Sequence, residues 1–326
     1  MSSHSFTSDL AECTAGGRPL RVVVGWDSLS TEAVEFAAWL GRSLPVSVQV
    51  VSAVENSWKK PLSGKKYKKW FKDRAAEFEQ QARKVLKAHV PRAQWAKHSA
   101  HLAPSAHLTD SLCESAQEFS ADLILLGSSA KTQKGRFRPT STADALMHAS
   151  PVPLGLAPRD VHLSRKGITR VTYAVVDRGT GGEPGAAAEG EVFSGLPYAA
   201  TLACVLGVPL RIIAFSPSAE NSGVSEHAAE WNETTLGLLD RARDEAFGVA
   251  ASIDPSCADS LDVHSIIAVG KGWKRAIDSV KWKKGDLMCL GSQPSELYRR
   301  VFVGSTEGEF IRFAPVPVLI YPRGAE

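Results

Sequence analysis

The sequence predicts an α/β protein made of two tandem, doubly wound parallel-sheet domains packed as a pseudo-twofold pair. Three observations carry that expectation. First, a block recurs without insertion or deletion. Asp122-Leu-Ile-Leu-Leu-Gly127-Ser returns as Asp286-Leu-Met-Cys-Leu-Gly291-Ser, and Pro151-Val-Pro153-Leu as Pro315-Val-Pro317-Val. The offset is constant at 164 (286 − 122 and 317 − 153). That period is too long for a solenoid, whose units run about 20–50 residues, and fits two globular domains of roughly 100–200 residues each. Second, short, nearly continuous apolar strands alternate with helix-length stretches, as in a parallel sheet covered on both faces. Third, a chain of 326 residues, 44% hydrophobic and 22% charged, has the composition of a globular protein. It contains no apolar run of the ~18 residues that a membrane helix needs.

The elements follow in order. Residues 1–19 lack a basic and then apolar leader and read as a disordered lead-in. A first domain is expected over 20–160 and a second over 168–326. The first strand, Arg21-Val-Val-Val-Gly25-Trp-Asp27, is β-branched and ends in Asp; Val171-Thr-Tyr-Ala-Val-Val176-Asp177 reads as its counterpart. Ser30 or Thr31 can cap a helix carrying Ala33, Phe36, Ala37 and Leu40 at helical spacing. A second strand, Val46 to Val54, is matched by Leu210 to Phe215. Long helical stretches follow, near Tyr67–His89 and Ala228–Ala251. Then come a weak third strand, a helix, and the apolar fourth strands Asp122–Leu126 and Asp286–Leu290. A last helix, near Thr142–His148 or Thr306–Phe313, leads through Pro-x-Pro to a final strand. These final strands, Leu154-Gly-Leu-Ala and Val318-Leu-Ile-Tyr, are short apolar edges. Antiparallel pairing of the two would hide both. It can be satisfied within one chain, so a monomer with an internal pseudo-dimer and a homodimer both remain open.

One length difference stands out. Pro45 and Pro209 are 164 apart, but Asp27 and Asp177 are only 150 apart (177 − 27). The extra residues of the second half therefore lie between Asp177 and Pro209. They include the Gly- and Ala-rich stretch Gly179 to Gly190, read as a tolerated surface insertion in preference to a lid over the second site.

Other features point away from chemistry. Five dispersed cysteines, Cys13, Cys113, Cys204, Cys257 and Cys289, form no Cys-x-x-Cys pair and read as thiols of a cytoplasmic protein. Lys59, Lys60, Lys65, Lys66, Lys68, Lys69 and Lys72 cluster with Trp58, Tyr67, Trp70 and Phe71. Such a mixture can bind single-stranded nucleic acid, but the favoured reading is a solvated helix start whose aromatics pack on the sheet. The same reading is taken for Lys271 to Lys284, with Trp273 and Trp282. His98-x-x-His101 and His107 lack Cys or acidic companions at ligand spacing. Gly270-Lys-Gly-Trp falls short of a Walker A loop. With no Gly-x-Ser-x-Gly elbow and no paired carboxylates, no catalytic machinery is expected.

Ligands of doubly wound sheets bind outside the carboxyl ends of the strands, at the switch in strand order. Asp27, Asp177, Gly127 and Gly291 belong to that edge. After the fourth strand, Gly291, Pro294, Gly304 and Ser305 follow the spacing Gly-x2-Gly-x9-Gly-Ser/Thr, and Gly127, Ala130, Thr140 and Ser141 occupy the same places in the first half. With the Asp after the first strand and the Pro-x-Pro ending, the chain resembles a tandem universal stress protein over nearly its whole length. The resemblance implies a Rossmann-like fold and a regulatory adenine nucleotide, ATP, with Mg2+ only as the nucleotide's companion. It implies Asp27 and Asp177 on the ribose side and the Val51 and Phe215 backbones at adenine. Gly127, Ala130, Thr140, Ser141 and Thr142 would meet the phosphates, as would Gly291, Pro294, Gly304, Ser305 and Thr306 in the second half. Three of the six glycine positions depart from the pattern. Ala130 is tolerable at negative φ, Thr140 would resist a positive φ, and Pro294 lacks an N–H. Ser141 and Ser305 can cap their helices and donate to phosphate. The first half, with Asp27 unobstructed, is expected to be the better site. The competing expectation is an interaction protein whose degenerate sites take no nucleotide. Nucleic acid is not the expected partner, and protein partners are left unnamed.

Overall fold

A computed structural model of the chain describes residues 17–54, 64–104, 107–177, 193–218, 226–291, 303 and 305–321. The strands are β1 (Leu20–Gly25), β2 (Val46–Ala53), β3 (Trp95–Ala103), β4 (Leu123–Gly127), β5 (Leu154–Ala157), β6 (Arg170–Val176), β7 (Leu210–Ser216), β8 (Val263–Val269), β9 (Asp286–Gly291) and β10 (Val318–Tyr321). The helices of the first half are α1 (Glu32–Leu40), α2 (Lys65–His89), α3 (Leu108–Phe119) and α4 (Ser141–Ala149). Those of the second are α5 (Leu196–Leu206), α6 (Glu226–Ile253), α7 (Pro255–Ser260), α8 (Trp273–Asp278) and α9 (Ser305–Ile311).

All ten strands form one sheet in the order β3-β2-β1-β4-β5-β10-β9-β6-β7-β8. Each half is parallel, with its order reversing beside its first strand. The halves join through β5 and β10, which pair antiparallel as Leu156 with Val318, Gly155 with Leu319 and Leu154 with Ile320. Gly155 and Leu319 are 164 apart (319 − 155), so each faces its own counterpart. A local twofold axis therefore passes between them. The expected edge pairing is realised inside one chain, and the two carboxyl edges point in opposite directions.

Helices α1, α2, α5 and α6 cover one face of the sheet, where β1 contributes Val22 and Val24 and β6 contributes Val171 and Tyr173. Helices α3, α4, α8 and α9 cover the other, over Val23, Ile124, Ala174 and Met288. Strand residues alternate between the faces, and the nearly all-apolar β4 and β9 serve both. Asp122 and Asp286, at the amino edge, are structural. Asp122 accepts two bonds from Arg18 at 2.7 and 2.8 Å and one from Arg21 N–H at 2.7 Å. Asp286 is fully buried and pairs with Arg170 and, at 3.5 Å, Arg211.

The structure corrects three expectations. The aromatics at the start of α2 do not pack on the sheet. The buried residues of that helix are Phe78, Ala82 and Leu86, while Tyr67, Trp70 and Phe71 are only half-buried and belong to neither core. Helix α2 is 25 residues long, so at ~1.5 Å per residue it outruns an eight-residue β2. Trp273, by contrast, is buried on its helix as expected, edge-on to Phe310 with centroids 5.4 Å apart, whereas Trp282 follows the helix and is half-buried. Cys204 and Cys257 are not separate thiols: they are joined as a disulfide. Contact between α5 and α7 brings their Cα atoms to 5.7 Å, within disulfide reach. Cys113 and Cys289 keep their thiols, Cys113 half-buried and Cys289 buried.

The third correction is one of register. Val51 and Phe215 are 164 apart; Val51 faces Gly25, and Phe215 faces Val176. Trp26 N–H donates to the Val51 carbonyl at 3.0 Å, and Asp177 N–H to the Phe215 carbonyl at 2.9 Å. Asp177 therefore corresponds to Trp26, an offset of 151 (177 − 26). Against β4 and β9 the offset is 149, because Val22 faces Leu123 and Val171 faces Leu287 (171 − 22). Either shift is odd and keeps each residue on its face. The even offset of 150 between the aspartates puts them on opposite faces. Asp27 and Asp177 are not counterparts.

Candidate functional site

The carboxyl edge of the first half turns its strand order between β1 and β4, at Gly25 and Gly127. Asp27 is exposed at that edge. Its Oδ1 accepts from Leu29 N–H at 2.9 Å, Ser30 N–H at 3.1 Å and the Ser30 hydroxyl at 3.3 Å. The carboxylate thus folds the loop around Ser28, a non-glycine residue at φ 64°. Its Oδ2 accepts no bond among the described residues and remains available. The Trp26 indole N–H donates to the Ser30 carbonyl at 2.7 Å. Ser30 stands over Gly127, where an added Cβ would come 3.3 Å from its hydroxyl.

The loop after β4 is stitched from within. Arg138 N–H donates to the buried Ser128 hydroxyl at 2.9 Å, and that hydroxyl donates to Thr132 Oγ1 at 3.0 Å. Ser129 N–H donates to the Arg138 carbonyl at 2.9 Å. Ala130 is exposed, and its φ is not positive. Thr140 overturns the expected strain: it lies at φ −77°, ψ 169°, extended backbone that any residue adopts. It is also the helix cap in place of Ser141, its hydroxyl accepting from Ala143 N–H at 3.2 Å. A threonine suits this position because an extended N-cap needs a side-chain acceptor, not glycine's freedom. Ser141 and Thr142 then form the first turn of α4. Helix geometry leaves their N–H groups without carbonyl partners, and the Ser141 side chain is exposed. Val51 is buried inside the sheet; its carbonyl holds the Trp26 bond and keeps a second lone pair.

This loop is anchored to the other half. Phe137 is buried, and its N–H donates to the Arg312 carbonyl at 3.4 Å. Arg136 donates to the Phe313 carbonyl at 3.2 Å and pairs with Asp278 at 3.0 Å. In return, Val303 N–H donates to the Met147 carbonyl at 2.8 Å. Because the carboxyl edges are opposed, the tail of each half's last helix lies beside the other's loop. Sequence reasoning missed Ser128, Arg136 and Arg138. A hydroxyl after a glycine gave no sign of the bonds inside the loop, and Arg136 gave no local sign of its bonds to the other half.

The second half differs. Asp177 accepts from the Ser216 hydroxyl at 2.8 Å. The start of α5 lies directly on β9: a Cβ on Gly195 would come 2.6 Å from Gly291 N. Ser305 opens α9 and is exposed, and Thr306 is half-buried. Pro294, Gly304 and the stretch Gly179 to Gly190 lie outside the described residues.

The fold and this edge define a class: tandem doubly wound α/β domains, in each of which the strand order turns beside the first strand. The universal stress protein family model matches residues 19–158 and 195–322. The chain belongs to the universal stress protein family. It is 29% identical to the universal stress proteins Rv2319c of Mycobacterium tuberculosis (strain ATCC 25618 / H37Rv) and Mb2346c of Mycobacterium bovis. Each alignment covers 93% of this chain and 100% of the relative. Its fold is similar to that of a universal stress protein from Archaeoglobus fulgidus DSM 4304. The TM-score is 0.62 at 18% identity, over 93% of this chain and 98% of that one. Among the described residues, no helix is long and apolar enough to cross a membrane.

Proposed function

We propose that the first half binds ATP, with Mg2+ arriving only on the nucleotide, as the regulatory ligand of a cytoplasmic stress-response protein. The observation that carries this reading is the start of α4. Thr140 satisfies Ala143 N–H alone, so the N–H groups of Ser141 and Thr142 and the exposed Ser141 hydroxyl converge at a helix N-terminus. That arrangement suits a phosphate. Gly127 lacks a Cβ and so lets Ser30 and the start of α1 close over the end of β4, Asp27 Oδ2 suits a ribose hydroxyl, and the second lone pair of the Val51 carbonyl suits adenine. The groups are donors and acceptors only, so the role is binding, and any hydrolysis would be slow and incidental. The second half is the weaker site, because Gly195 crowds Gly291 and Asp177 lies on the wrong face.

Titration calorimetry of the full chain with ATP tests this. Binding should survive Gly291→Trp and disappear in Gly127→Trp. The converse pattern would move the site to the second half. Absence of heat in the unmodified protein would leave an interaction protein with degenerate sites.

A further inference from the structure

We propose that the projecting first half of α2 is a binding surface for single-stranded nucleic acid. The helix leaves the carboxyl end of β2 and returns to the start of β3, so it runs antiparallel to the strands. It passes the end of β1 at Phe78, whose ring lies 5.9 Å from that of Trp26. The thirteen residues before it, 65–77, include none that is buried. At ~1.5 Å per residue they stand about 20 Å above the strand ends, on the edge that carries Asp27 and Gly127.

The chemistry of this segment is one-sided. Lys65, Lys66, Lys68, Lys69 and Lys72 are all exposed. Arg74 is taken by Glu77 at 2.8 Å, which leaves Asp73 as the remaining acid. Five lysines against one aspartate give this segment a charge of +4 (5 − 1), more than the +3 of the whole chain. The first turn of α2 contains no acidic residue. Lysines there oppose the helix macrodipole, so they do not serve the helix itself. Between them Tyr67 stacks on Phe71 at 6.1 Å and 20°, and Trp70 lies 5.9 Å from Tyr67. The three rings are half-buried, each keeping part of its surface in solvent. Interleaved lysines and aromatic faces are what a single strand needs, charge for its phosphates and π surfaces for its bases. The second basic stretch cannot serve in this way. Trp273 is buried against Phe310, and Trp282 lies under Arg211 with its N–H on the Ile277 carbonyl.

The same geometry disfavours a lipid surface. Tyr67, Trp70 and Phe71 continue the stripe of Phe78, Ala82 and Leu86 that faces the sheet. They therefore overlook the carboxyl edge, whereas an interfacial helix turns its aromatic face outward. An acidic protein partner would use the lysines but has no need of the rings.

The test is fluorescence anisotropy of the full chain with fluorescein-labelled oligo-dT of about 16 nucleotides, across a salt series. Affinity should fall steeply with salt. Replacing the five lysines by Gln should lower affinity at least tenfold and reduce the slope of log K against log salt by about 3–4, at ~0.7 per phosphate contact. Lys84→Gln with Lys87→Gln, at the far end of the helix, should change nothing. Trp70→Leu should keep the salt slope while losing several-fold in affinity, and circular dichroism should show the helix intact in every variant. Any one of three results would overturn the proposal: no binding at low salt, equal loss from the far-end pair, or tighter binding to polyglutamate or anionic phosphatidylserine vesicles than to the oligonucleotide.

Discussion

Asp177 makes in the second half the backbone bond that Trp26 makes in the first. Each donates its N–H to the carbonyl of the same residue position on the neighbouring strand, Phe215 at 2.9 Å and Val51 at 3.0 Å. The aspartate that matches Asp27 by eye thus replaces a buried indole, and its carboxylate turns to Ser216 at 2.8 Å. The two halves share a sheet plan, but their carboxyl edges are built differently.

Asp27→Ala should therefore lower ATP affinity at least tenfold in calorimetry, while Asp177→Ala changes it less than twofold. Asp27→Ala also removes the acceptor for two loop N–H groups, at about 0.5–2 kcal/mol of stability, comparable to a lost cap. Asp27→Asn should keep that stability. Equal loss of affinity from both alanine variants would contradict the asymmetry.

Thr140 acts as a cap and carries no strain. In urea denaturation Thr140→Ala should cost about 1 kcal/mol, Thr140→Ser should be near neutral, and Thr140→Gly should cost only a few tenths. A glycine variant more stable than the wild type would mean that threonine opposes its backbone conformation after all.

The junction of the halves depends on unequal partners across the local axis. A Cβ at Gly155 would come 3.0 Å from Phe36 and 3.2 Å from Leu319, and closer still to Leu125. The positions around Leu319 that correspond to Leu125 and Phe36 are the smaller Cys289 and Ala200, each 164 further on (289 − 125 and 200 − 36). Gly155→Leu should cost roughly 1–3 kcal/mol through overpacking, and Leu125→Ala in the same chain should recover part of that. Strictly additive costs in denaturant melts would sink this account.

Asp122 and Asp286 hold the amino edge with different force. Asp286→Asn strands Arg211, which is 4% exposed, and should cost about 3–5 kcal/mol. Asp122→Asn leaves Arg18, 27% exposed and able to find water, and should cost roughly 1–3 kcal/mol. Chemical denaturation of the two variants side by side decides it: equal costs would show that burial of the partner is not what matters.

By itself the sequence determined the repeat, the doubly wound α/β class and the pairing of β5 with β10. These follow from local patterns: β-branched apolar runs, an uninterrupted offset, and two short apolar edges with nowhere else to go. It also located the Gly127–Thr142 loop at a carboxyl edge, because a glycine after a buried strand and a capped helix start are both local signals.

Only the tertiary structure decided the rest. Asp27 and Asp177 look equivalent until β6 is seen in register with β7 and β9, and register depends on how both neighbours pack. Thr140 looked strained because a spacing pattern carries no dihedral angle. The lysines of α2 read as an ordinary solvated helix because nothing local says where the sheet stops beneath them. Arg136 became visible as an anchor of the loop only when the opposed halves brought Phe313 and Asp278 beside it. Cys204 met Cys257 only when α5 and α7 came together. Apart from Thr140, whose cap bond is local, the deciding contact joins residues far apart in the chain, and its energy depends on a geometry that no short window of sequence contains.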